Sequence, residues 1–139
     1  MVYYNPGGDL FFFDSSNAGK ATFVISGFGT GVDSRQGHLD FGDSSTAAEA
    51  TIATTGFAIT DFGDSSTAGE AIFTNSEGGT VLFDVNSSAA QATFVCNGGI
   101  SGTGGGGVGF LTSATAADGH FTINGAACRR RGARRCGLL

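Results

Sequence analysis

Hydrophobic residues in this chain recur in pairs two positions apart, separated by short runs of Ser, Thr, Asp and Ala. Leu10 with Phe12, Leu39 with Phe41, Val81 with Phe83 and Val108 with Phe110 each set two apolar side chains on one face of a short strand. Thr60 with Phe62 is the polar exception. A turn-forming stretch rich in Asp, Ser, Asn and Thr follows each pair, because these side chains hydrogen-bond nearby backbone. A second alternation comes next: Ala21, Phe23 and Ile25 face one way, Thr22 and Val24 the other, and Ala50/Ile52, Ala71/Phe73 and Ala92/Phe94 repeat the inward pattern. These strands end in Ser26-Gly27, Thr55-Gly56, Asn97-Gly98 and Asn124-Gly125, whereas the third unit places Ser76-Glu77-Gly78-Gly79 there. No stretch has helical periodicity, so the pattern predicts an all-β chain.

The pattern is a tandem repeat. FFDSSNAGKATF (12–23), FGDSSTAAEATI (41–52), FGDSSTAGEAIF (62–73), FDVNSSAAQATF (83–94) and FLTSATAADGHF (110–121) align without a gap. Leading Phe residues are 29, 21, 21 and 27 apart, so the unit is 21 residues with extra material in two places, Phe28–Gln36 and Gly99–Gly106. Both insertions follow the second aromatic of a unit and therefore occupy one corner. Stacked coils predict this, since a loop can leave one corner without breaking the ladder between coils. The expected fold is a right-handed parallel β-helix, a β-solenoid of about five coils. At ~4.8 Å per coil the rod is roughly 20 to 25 Å long, with each Phe stacked on its equivalents. The alternative, an antiparallel β-sandwich of hairpins, leaves the shared corner unexplained. The division expected is an N-terminal extension or partial cap over 1–9, the repeat domain over 10–127, and a basic, disordered tail over 128–139.

Composition refines the picture. Of 139 residues 25 are Gly, yet 13 are Phe, which argues for a buried interior. Five of the seven basic residues (Arg129, Arg130, Arg131, Arg134, Arg135) lie in the last eleven. Lys20 and Arg35 alone then face twelve acids, giving a formal −10 for the body against +5 for the tail. Nucleic acid is not expected to bind such a body. No apolar run reaches the roughly 18 to 20 residues of a membrane span, and no signal peptide is visible at the start.

The recurring FGDSSTAAEATI and FGDSSTAGEAIF units resemble the repeats in passenger regions of bacterial autotransporters and related large surface adhesins. The resemblance covers about residues 10 to 125. It implies export to the cell surface, an extracellular location and a rigid stalk that displays binding loops, with a host or cell-surface glycan or protein as partner. An export signal and a membrane barrel, usual in such proteins, are not seen, so the chain reads as a fragment or truncated relative. The function expected is a structural or adhesive segment of a bacterial surface protein; the alternatives are a carbohydrate-active β-helix enzyme and an ice-binding solenoid.

Stacking also sets polar residues in columns. Asp14, Asp43 and Asp64 share one position, completed by Val85 and Thr112, and three carboxylates about 5 Å apart would suit calcium. Solvated carboxylates accepting turn hydrogen bonds are the simpler reading, and no other cofactor is expected. Lys20, Glu49, Glu70, Gln91 and Asp118 form a second column, read as a solvated edge in which Lys20 pairs with Glu49. Ladders of Ser15, Ser44 and Ser65 and of Asn17, Thr46, Thr67, Ser88 and Thr115 are expected to hydrogen-bond along the stack. No catalytic residues are assigned: His38 and His120 belong to different units, without a Ser or Cys partner, and His120 is expected at the surface. The outward positions Thr22/Val24, Thr51/Ala53, Ile72/Thr74, Thr93/Val95 and His120/Thr122 never carry Thr at both places, which disfavours ice binding. Cys96 falls on an inward position and reads as a buried thiol, whereas Cys128 and Cys136 match no zinc spacing. Because solenoid ends expose unpaired backbone, end-to-end self-association is also expected.

Overall fold

The computed structural model describes residues 2–28, 35–100 and 103–125. Its elements are β1 (Val2–Pro6), β2 (Asp9–Phe12), β3 (Thr22–Ser26), β4 (His38–Phe41), β5 (Thr51–Thr55), β6 (Ile59–Phe62), β7 (Ile72–Asn75), β8 (Thr80–Phe83), β9 (Thr93–Cys96), β10 (Gly107–Phe110) and β11 (His120–Ile123). They form two parallel sheets, one ordered β1-β3-β5-β7-β9-β11 and the other β10-β8-β6-β4-β2. The chain is a parallel β-helix. Each coil runs from one sheet to the other and returns, and a third side is marked by single-residue parallel bridges Asn17↔Thr46↔Thr67↔Ser88↔Thr115. All pairings between these strands are parallel, which excludes the sandwich of hairpins. Phe28 and Arg35 make an antiparallel bridge at the base of the first insertion, and residues 29–34 and 101–102 of the two insertions lie outside the described residues.

Register is set by the repeat. Phe12 pairs with Phe41, Phe41 with Phe62, Phe62 with Phe83 and Phe83 with Phe110, and their rings stack with centroids 4.8, 4.7, 4.7 and 5.0 Å apart. The second column is Tyr3, Phe23, Ile52, Phe73, Phe94 and Phe121; Tyr3 on β1 extends it upward by stacking on Phe23 at 5.5 Å. Rings of the two columns meet edge to face at 5.9 Å in four of the coils. Burying each ring contributes about 1.5–3 kcal/mol, and each aromatic pair about 0.5–1.5 kcal/mol more. Ala47, Ala68 and Ala89 are wholly buried beside this stack. The far end is less covered, and Phe121 and Ile123 on the last strand are exposed.

The polar exception in the leading strands has a partner. Thr60 and Thr54, both fully buried, join their hydroxyls at 2.9 Å across the interior between the two sheets. Thr60→Val alone leaves Thr54 unsatisfied and is expected to cost about 2 kcal/mol in urea unfolding, whereas Thr54→Val with Thr60→Val is expected to be nearly neutral. A cycle in which the double variant loses as much as the sum of the singles rejects this pairing. Asn75, one coil below Thr54, donates through Nδ2 to the Gly107 carbonyl at 3.0 Å and to Cys96 Sγ at 3.8 Å. Cys96 is buried as expected, and burial pushes its thiol pKa up, with the Asn75 contact opposing.

Two columns of left-handed residues make the corners. Asp14, Asp43, Asp64, Val85 and Thr112 have φ of 57, 54, 54, 57 and 51°. Asp tolerates this conformation better than most residues, whereas a β-branched Val or Thr is strained there. Gly19, Ala48, Gly69, Ala90 and Ala117 form the other column, with φ from 45 to 63°. Asn17, Thr46, Ser88 and Thr115 each accept a hydrogen bond from the backbone N–H two residues on. This corrects the expected ladder along the stack: these side chains mainly fix their own turn, and Thr67 donating to Thr46 at 3.1 Å is the coil-to-coil bond seen among them. Ser15, Ser44 and Ser65 are exposed, while Ser45, Ser66 and Ser87 are the fully buried serines of that corner.

Candidate binding notch

The outward face of the five-stranded sheet is shaped by two neighbouring columns. Phe11, Asp40, Asp61, Leu82 and Gly109 are paired in register along the first. Two residues further on, Phe13, Gly42, Gly63, Asp84 and Leu111 continue the coils, each N–H from Gly42 onward bonding to the carbonyl of a leading Phe in the coil before. Gly42 and Gly63 carry no side chain, so the floor is low for two coils, open above Gly63 and covered by the Phe13 ring above Gly42. The result is an open notch of about 350 Å³, walled by Phe11, Phe13, Asp40 and Asp61. Phe13 leans over Gly42, where an added Cβ would meet its ring at 2.9 Å. Phe11 and Phe13 stack on each other at 5.6 Å and are 52% and 53% exposed.

Both wall carboxylates are held above the ordinary aspartate pKa. Burial is the main cause for Asp40, opposed by His38 and reinforced by Asp61 and Asp9. Burial is likewise the main cause for Asp61; the Phe62 N–H and His38 oppose it, and Asp84 adds repulsion. A raised folded pKa means that the charged form is disfavoured in the fold. The associated stability is fully present below the unfolded value of about 3.8 and is lost as pH rises through the raised folded value. Asp61→Asn is therefore expected to raise the melting temperature at pH 7, and the gain should vanish near pH 3, where both forms are neutral. A gain of equal size at both pH values contradicts this origin.

The aspartate column singled out for calcium lies beside the notch. Asp43 Oδ2 accepts from the backbone N–H of Asp14 at 3.0 Å, and Asp64 Oδ2 from that of Asp43 at 3.3 Å. These carboxylates thus tie each turn to the one before. In the fourth coil Asp84 takes over, accepting from the Val85 N–H at 2.6 Å and from the Thr112 hydroxyl at 2.5 Å, bonds that hold its pKa below the usual value. Among the described residues no three His, Cys, Asp or Glu side chains converge as a metal would require. Lys20 and Glu49 pair at 3.1 Å on the exposed edge, a contact worth about 0–1 kcal/mol. His38 lies on β4 near Asp40, and His120 is exposed on β11, so they are not brought together.

The notch was not singled out from sequence. Its signal is the Phe-Gly of the second and third units, against Phe-Phe in the first and Phe-Asp in the fourth, together with Phe11 and Phe13, two of the four Phe outside both stacking columns. The six-stranded sheet presents the outward pairs Thr22/Val24 to His120/Thr122 in register. No helix among the described residues is long and apolar enough to cross a membrane. The chain matches no family model, no curated protein and no solved structure.

Proposed function

We propose that this chain is a structural or adhesive β-solenoid segment of a bacterial surface protein, a stiff rod that displays loops from one corner. The observation carrying this reading is the unbroken register of the coils. Every unit repeats the same two strands and the same pair of left-handed corners between them, and the extra residues leave where the six-stranded sheet passes to the five-stranded one. Repetition of this kind builds length and stiffness and leaves the loops free to vary. The resemblance of the FGDSSTA units to passenger-region repeats supports a place outside the cell.

Beads coated with the full chain and pulled from glycan- and protein-coated surfaces test the adhesive reading. Retention is expected to fall several-fold when residues 29–34 and 101–102 are replaced by short Gly-Asn linkers, while circular dichroism stays unchanged. Retention indifferent to both replacements rejects loop display, and release of soluble sugar from the coated surface favours the enzyme instead.

A further inference from the structure

We propose that the arginine run Arg129–Arg135 of this same chain docks in the notch walled by Phe11, Phe13, Asp40 and Asp61. The occupant follows from charge and reach. The notch holds two carboxylates on successive coils, with Asp84 and Asp64 beside it, and no Lys or Arg among its walls. His38, on the strand of Asp40, is the basic group that faces both carboxylates. The two half-buried carboxylates repel each other, and a cation between them relieves that repulsion where a neutral sugar does not.

Guanidinium suits both walls. Its planar face stacks on an aromatic ring, and its N–H groups pair with carboxylates, which an ammonium does less well. Five arginines within seven residues supply this group, against two cations in all the chain before them. The last described residue is Gly125, and ten further residues reach Arg135, a span of up to about 35 Å when extended. Gly63 and Gly42 lie two and three coils from the last one, about 10 and 15 Å along the axis at ~4.8 Å per coil. The remaining reach covers the way round the coil.

A spin label on Cys136, in the full chain carrying Cys128→Ser, reports the contact directly. Cys96 is 1% exposed and escapes labelling. The amide signals of Gly42, Gly63 and Phe13 are expected to be broadened several-fold more than those of β5 and β7 on the opposite sheet. The effect should fade at about 1 M salt, where the Debye length is roughly 3 Å. It should also be lost in Asp40→Asn with Asp61→Asn, and in a variant with the five arginines changed to Gln, which leaves the notch intact. Broadening spread evenly over the surface overturns the proposal, as does broadening that survives both variants. Mixing spin-labelled chain with an unlabelled, isotope-enriched one separates the copies: broadening that arises only between chains overturns docking within one.

Discussion

Phe62→Ala is expected to remove about 4 kcal/mol of stability, within the range for deleting a buried aromatic ring. Phe62 is wholly buried, sandwiched between Phe41 and Phe83 at 4.7 Å on each side, and meets Phe73 edge to face at 5.9 Å. Its removal empties the middle of the stack, where the parallel ladders above and below hold the backbone apart and prevent collapse into the void. Since a small domain has only about 5–15 kcal/mol in total, the variant should unfold at much lower urea. Phe12→Ala is the comparison. Phe12 is partly exposed, stacking on Phe41 from one side and meeting Phe23 at its edge, so it should lose markedly less. Equal losses at both positions, followed by circular dichroism, contradict a core whose strength grows from its ends to its centre.

Gly79→Ala is expected to cost about 3 kcal/mol, the upper part of the overpacking range. A Cβ at Gly79 would stand 2.0 Å from the Thr54 carbonyl oxygen and 2.4 Å from its carbon. Those are backbone atoms of the neighbouring coil, and the Thr54 oxygen already accepts from Ser76 N–H at 3.1 Å, so they cannot move aside without breaking the ladder. Gly63→Ala is the control: nothing lies within 4 Å of a Cβ there, and its stability should be unchanged. A Gly79→Ala variant as stable as Gly63→Ala would mean that this corner is looser than the structure has it.

Gly79 belongs to a column that the sequence pattern did not announce. Gly8, Gly37, Ala58, Gly79 and Gly106 precede the leading strands, and the N–H of each following residue from His38 onward bonds to the previous member's carbonyl. In the sequence these glycines merge with others in loops of unequal length, because the insertions shift them relative to the repeat. Alignment on Phe therefore passes over them. Only the close approach of the neighbouring coil's backbone shows why Gly79 and Gly106 are small. The aspartate column was visible for the opposite reason, since DSS recurs without a gap, but its meaning was conformational. Left-handed φ at Asp14, Asp43 and Asp64 explains the residue type before any cation is invoked.

The amino-acid sequence alone determined the coil. Two aromatic columns at a 21-residue period can be buried together only by superposing the units, and superposition dictates parallel strands, register and the common corner for the insertions. Tertiary structure alone decided the notch. Whether Gly42 and Gly63 make a gap or a flat surface depends on the side chains one coil above and below, residues 20 to 30 positions distant in the chain. Phe13, Asp40 and Asp61 become neighbours through the winding, and the depth of the notch comes from a ring that lies over a glycine of another coil. Local patterning records which way a side chain points; what it meets there is fixed by the stack.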